Sequence, residues 1–177
     1  MDYSIEVFKR QYPVLNDFVY HYIAYRELSN KFDLLPGDKE FWIRSTDAHL
    51  KVAITSWCMI FGAESNLVHW KKIIIEDHVN FCKEFRNCIL KECGFNDKEW
   101  DDYWNDVVKF RNTFIVHREL YSDEPMPYID KSFKIAISYD LWVSEKIKPD
   151  YLEDPTLFET SDRYRSNIEE TLSSILK

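Results

Sequence analysis

Three glycines in a chain of 177 residues leave little material for tight turns. An all-β fold of this size needs a turn signal every ~8–12 residues, and glycine and proline supply most of them. Only six prolines accompany the glycines. Gly62 and Gly94 each follow a stretch of helical periodicity, where a glycine stops a helix. The scarcity therefore points to long helices with few breaks. With 45% hydrophobic and 16% aromatic residues, such helices have enough apolar surface for one good core.

The periodicity predicts the elements in order. A first helix is expected over residues 4–30, with Pro13 in its first turn or at a kink. A loop over 34–38 ends at Asp38, a suitable N-cap for a helix over 39–61 that stops at Gly62. Residues 62–75 read as a connection. A third helix is expected over 75–92, halted by Gly94. Asn96-Asp97-Lys98-Glu99 has the form of a capping box. It opens a fourth helix with Trp100, Trp104, Val107, Val108, Phe110, Phe114 and Ile115 inward, ending between Arg118 and Tyr121. A loop with Pro125 and Pro127 follows. Residues 129–147 read as a fifth helix with Ile129, Phe133, Ile137, Leu141 and Trp142 inward, although 134–139 has some strand character. Pro149 and Pro155 bracket a loop, and Ser161 or Asp162 caps a terminal helix. The expected fold is an all-α, antiparallel, single-domain bundle of five to six helices spanning 1–177.

A formal net charge of −8 disfavours a broad duplex-binding surface, which needs clustered Lys and Arg. It leaves room for a small basic slot or a basic partner. Cys58, Cys82, Cys88 and Cys93 form no Cys-x-x-Cys pair, and no secretory leader or membrane span is evident. The reading is of reduced cysteines in a cytoplasmic protein.

The chemistry concentrates in Arg111-Asn112-Thr113-Phe114-Ile115-Val116-His117. Arg and His inside an apolar helical stretch are costly unless something pairs with them. They offer a fixed cationic fork and an imidazole that titrates near neutrality, a set suited to gripping or cleaving a phosphodiester. On an ideal helix, positions six apart differ by about 120° around the axis and about 9 Å along it. Arg111 and His117 therefore share no strict face, whereas Thr113 and His117 do. A helix distortion or a second copy of the motif would close the gap. The bland alternative is a structural Arg111, for example paired with Asp106.

Phe110 to His117 resembles the signature of HEPN domains: an arginine, a polar residue, then a histidine after a few intervening positions, late in a helical bundle. Trp57-Cys58-Met59-Ile60-Phe61-Gly62 with His69-Trp70-Lys71-Lys72 is similar to a block of the abortive-infection-type branch. The resemblance covers about residues 5–145, leaving a C-terminal loop and helix over 149–177. It implies a helical homodimer in which two motifs form one composite site. It further implies a metal-independent endoribonuclease of toxin or phage-defence type, with Arg111, Asn112 and His117 catalytic and no cofactor. RNA is the implied substrate, and an antitoxin or nucleotidyltransferase-type protein an implied partner. Other members of that family are catalytically silent interaction modules.

Thr113, His69, Trp70, Lys71 and Lys72 are weaker candidates for substrate contact, through stacking and phosphate contact. The plain reading of the last four is an interfacial tryptophan with solvated lysines. His49 with Asp47, or Glu76-Asp77-His78, lacks metal-ligand spacing. Glu-x-x-His repeats, which a carboxylate-bridged metal bundle needs, are missing. Trp100 to Trp104 reads as a core stripe between solvated acids, and early-helix acids such as Asp101, Asp102 and Asp106 complement the dipole.

Overall fold

Ser4 opens the first helix by accepting a hydrogen bond from the Val7 backbone N–H, which satisfies one donor that a helix start leaves unpaired. The computed structural model describes residues 3–117, 126–147 and 155–176, and of Val116, His117 and Ile147 only the backbone. Six α-helices lie within these residues: α1 (Ile5–Asn30), α2 (Lys39–Phe61), α3 (His78–Cys93), α4 (Asp97–Phe110), α5 (Ile129–Ile147) and α6 (Leu157–Ile175). Among the described residues 82% are helical and no strand forms, so the fold is the helical bundle that the glycine count implies. The N-terminal segment is nevertheless tied down by an isolated bridge from Tyr3 to Ile74. No described helix is long and apolar enough to cross a membrane.

α1 packs chiefly on α2, α6 lies against α1, and α3 against α5. The core between them is aromatic: Phe18, Trp57, Phe61, Phe85 and Tyr139 are all essentially sealed from solvent. One buried polar chain crosses it. Tyr139 donates to Gln11 Oε1 at 2.8 Å, and Gln11 Nε2 donates to the His69 carbonyl at 3.2 Å. This links α5 and α1 to the segment after α2 while leaving no buried partner wanting.

Both predicted glycine stops hold, for different reasons. Gly62 ends α2 so close to the preceding turn that a Cβ would lie 2.4 Å from the Cys58 carbonyl oxygen. Gly94 takes the left-handed conformation (φ 66°) that closes α3, with Phe95 N–H reaching back to the Leu90 carbonyl. The capping box at Asn96 and Glu99 is complete.

Several expectations need correction. Pro13 sits well inside α1, not in its first turn. α3 begins at His78, after Asp77 in the left-handed region, not at 75. The inner face of α5 carries Ser132, Ile135, Ala136, Tyr139 and Val143 alongside Ile129 and Trp142, whereas Leu141 is exposed and Phe133 and Ile137 only half-buried. Strand propensity over 134–139 yields to burial of this face between α3 and the rest of the core. α6 starts earlier than expected. Thr156 is its N-cap, in a second complete capping box with Glu159, while Ser161 lies buried one turn inside. The expected end of the fourth helix at 118–121 and the loops around Pro125 and Pro149 fall outside the described residues.

Candidate active site

α4 carries the motif on its C-terminal extension. After Phe110 the backbone changes to π-helical winding over Arg111–His117. Such i→i+5 turns are rare and concentrate at functional sites. The local sequence favours the change. Thr113, Ile115 and Val116 are β-branched and crowd the preceding turn. The Thr113 hydroxyl also donates to the Lys109 carbonyl at 2.9 Å, a back-bond that competes with regular helix geometry. The winding brings positions five apart, such as 112 and 117, onto neighbouring turns. Positions 111 and 117 are not stacked by it. The His117 side chain lies outside the described residues.

Arg111 faces α2. Its guanidinium acts electrostatically on the Cys58 thiol, so the two sequence blocks, 57–62 and 110–117, meet in space. One turn earlier along the same interface, Trp104 Nε1 donates to the Phe61 carbonyl at 2.7 Å. Arg111 favours the Cys58 thiolate, but burial outweighs it and pushes the thiol up to about 11. Cys58 is therefore neutral and leaves the arginine's charge uncompensated. Arg111 Nε is sealed from solvent without a hydrogen-bond partner. No ion pair reaches Arg111 among the described residues, and Asp106 is exposed and not joined to it. The structural pairing with Asp106 is thus not what holds this arginine.

Asn112 and Thr113 are half-buried beside it, and the Asn112 side chain makes no hydrogen bond among the described residues. Phe114 is 45% exposed, its ring stacked on Phe110 at 5.1 Å. A large exposed aromatic next to the motif leaves apolar surface open there.

The second group of candidates lies elsewhere. His69 and Trp70 are buried, Lys71 is half-buried and Lys72 exposed. His69 Nδ1 accepts from the Lys71 backbone N–H, and burial drives its imidazole down to about 4. It is neutral at physiological pH and serves as a cap for the 3-10 turn Trp70–Ile73. Lys71 is paired with Glu64. His69, Trp70 and Lys71 line a cavity of about 490 Å3 that Lys72 does not reach; Arg111 is not part of its lining. Three of its residues are contact candidates in the sequence, which gives Trp100 and Trp104 as core stripe and does not single out Arg86; α3 and α4 bring Arg86, Trp100 and Trp104 to the same place.

His49 does not combine with Asp47. It meets His21 instead, Nδ1 to Nδ1 at 2.8 Å. Asp101 is held by Arg86 and Asp102 by Lys98. Asp77 accepts from its neighbour Asn80. Among the described residues no three His, Cys, Asp or Glu side chains converge as a metal would require. In comparisons with family models, curated proteins and solved structures, the chain has no significant match.

Proposed function

We propose that this chain is a HEPN-like, metal-independent endoribonuclease of toxin or phage-defence type, acting as a homodimer with a composite site. The observation that carries the reading is Arg111: a half-buried guanidinium held against α2, with no carboxylate partner and an unsatisfied Nε. A cation kept this way is prepared for an external anion, and the planar fork matches a phosphate. The π-helical winding and the exposed Phe114 support a contact with a second copy.

In the reaction the RNA 2′-hydroxyl attacks the adjacent phosphorus and the bond to the 5′-oxygen breaks. One His117 accepts the hydroxyl proton, and the His117 of the second copy returns a proton to the leaving oxygen. Arg111 binds the non-bridging oxygens and stabilises the charge that grows on them. Asn112 orients the arginine, the histidine or the sugar through its amide. The products are a 2′,3′-cyclic phosphate and a free 5′-hydroxyl.

The test is a cleavage gel on a broad RNA panel, run beside light scattering. The expected mass is twice 21.4 kDa. His117→Ala and Arg111→Lys should lose activity while keeping the fold, Asn112→Ala should lose less, and EDTA should change nothing. A 2′-deoxyribose at the cut site should block the reaction. A second reading is a catalytically silent interaction module of the same fold, favoured by the net charge of −8, which repels free RNA. A monomeric wild type inert on every RNA would select it and end the nuclease reading.

A further inference from the structure

His21 of α1 and His49 of α2 face each other across the seam between the two helices, Nδ1 to Nδ1 at 2.8 Å, with ring centroids 4.8 Å apart. Imidazoles that meet nitrogen to nitrogen share one proton: one ring donates it and the other offers a bare lone pair. Both rings are half-buried, so solvent still reaches them. Burial holds both below the ordinary imidazole range, and His21 lowers His49 further. Both are therefore uncharged at physiological pH, the form that binds a metal. Neither Nε2 makes a hydrogen bond among the described residues. The donor ring can thus carry its proton on Nε2 instead and present a second lone pair.

Distance decides which cation fits. An imidazole nitrogen binds a divalent transition metal at about 2.0–2.1 Å. Two such nitrogens stand about 2.8–3.0 Å apart when the angle at the metal is a right angle, and about 3.3–3.4 Å apart when it is tetrahedral. The observed 2.8 Å matches the right angle. Right-angled nitrogen and oxygen sets belong to copper(II) and nickel(II), the tetrahedral set to zinc. Aiming both lone pairs at one point beside the line that joins them takes a rotation about the soft χ2 of each ring. Asp17, one turn before His21, is exposed and makes no ion pair among the described residues, and its charge acts on His21. A free carboxylate at this place favours a cation.

We propose that His21 and His49 form a two-imidazole site for a divalent transition metal of the copper and nickel class, with Asp17 as its nearby carboxylate and water completing the coordination. The metal staples α1 to α2. The site is separate from Arg111 and does not depend on the cleavage reading.

The test titrates the full chain, its histidines labelled with nitrogen-15, with nickel(II), which does not oxidise the four cysteines. The five histidines give separate ring signals. Substoichiometric nickel is expected to broaden those of His21 and His49 first and to leave those of His69 and His78 sharp. Calorimetry is expected to give one nickel per chain, bound more tightly than zinc. His21→Asn and His49→Asn keep a polar group in the seam. Each should weaken nickel by about tenfold or more, because even a residue that only supports a metal ligand is worth about that much. Asp17→Asn should weaken it by a smaller factor. His78→Ala, which removes the ring beside Cys82, should bind as wild type does. If either seam variant unfolds, the broadening pattern of the wild type still decides. Broadening centred on His78 overturns the proposal, as does zinc bound more tightly than nickel. So does nickel binding that both seam variants leave intact, or no binding at millimolar nickel.

Discussion

Replacing Arg111 by methionine separates a functional arginine from a structural one. The side chain is half-buried, its Nε is desolvated without a partner, and its one polar neighbour is a neutral thiol. An unsatisfied buried donor costs about 1–3 kcal/mol. Methionine keeps an unbranched stem of similar reach, so most apolar contact with α2 survives. What is lost is the polar contact with the Cys58 thiol, set at the value of one hydrogen bond, a net contribution of about 0.5–1.5 kcal/mol. The balance predicts a change from about 0.5 kcal/mol against the variant to about 2.5 kcal/mol in its favour. For a chain of this length that is a Tm change from about −2 °C to about +8 °C. Were Arg111 one half of a buried ion pair, the same change would cost about 3–5 kcal/mol, and Tm would fall. Phosphate gives the second readout. An anion bound only by the folded wild type stabilises it by about 1.4 kcal/mol at tenfold its Kd, and the methionine variant should not share that gain. The assay is thermal melting of both proteins with and without phosphate, at one protein concentration because dimerisation also shifts Tm. A variant destabilised by more than about 2 kcal/mol in the absence of anions would refute the reasoning.

Asp140 accepts the Leu157 N–H at 2.8 Å, and burial lifts its carboxyl from 3.8 to about 6. The folded state then holds that proton more tightly than the unfolded chain. This contribution is neutral below about 3.8, turns unfavourable as pH rises to 6, and stays so above, at about 3 kcal/mol in full. Asp140→Asn should therefore match wild type near pH 3.5 and exceed its stability at pH 7.5 in urea titrations; an equal difference from wild type at both pH values would show that ionisation of Asp140 does not set its contribution. Tyr139→Phe strands the buried Gln11 Oε1 and should lower the urea midpoint by an amount equivalent to about 1–3 kcal/mol, and an unchanged midpoint would contradict the polar chain described here. Thr156→Ala removes the α6 cap and should cost about 0.5–2 kcal/mol, read by the same titration, with faster amide exchange confined to the start of α6.

Local chemistry written in the sequence decided most of the helices. Asn96 with Glu99 and Asp38 before Lys39 satisfy helix-start donors within four residues, and Gly94 closes α3 by its own conformation. Such signals need no distant partner, so they can be read before any fold is known. The box at Thr156 and Glu159 is equally legible as Thr-x-x-Glu, ahead of the Ser161 that also has cap character. The motif at Arg111–His117 was also visible, because charge inside an apolar stretch is costly wherever the chain folds. Only the tertiary structure decided the rest. Which face of α5 turns inward depended on α3 and on Gln11, a residue 128 positions from Tyr139; periodicity fixes that a helix has an apolar side but not which of two overlapping stripes meets a neighbour. The identity of Arg111's neighbour was likewise non-local. Asp106 lay closest in sequence, yet α2 presents Cys58 there, and a neutral thiol leaves the guanidinium's charge open. The cavity formed only where α3, α4 and the end of α2 converge, since Lys71, Arg86 and Trp104 share no sequence neighbourhood. A packed core brings such residues together because burying apolar area fixes helix positions, and the polar groups at the seams take whatever partners that packing supplies.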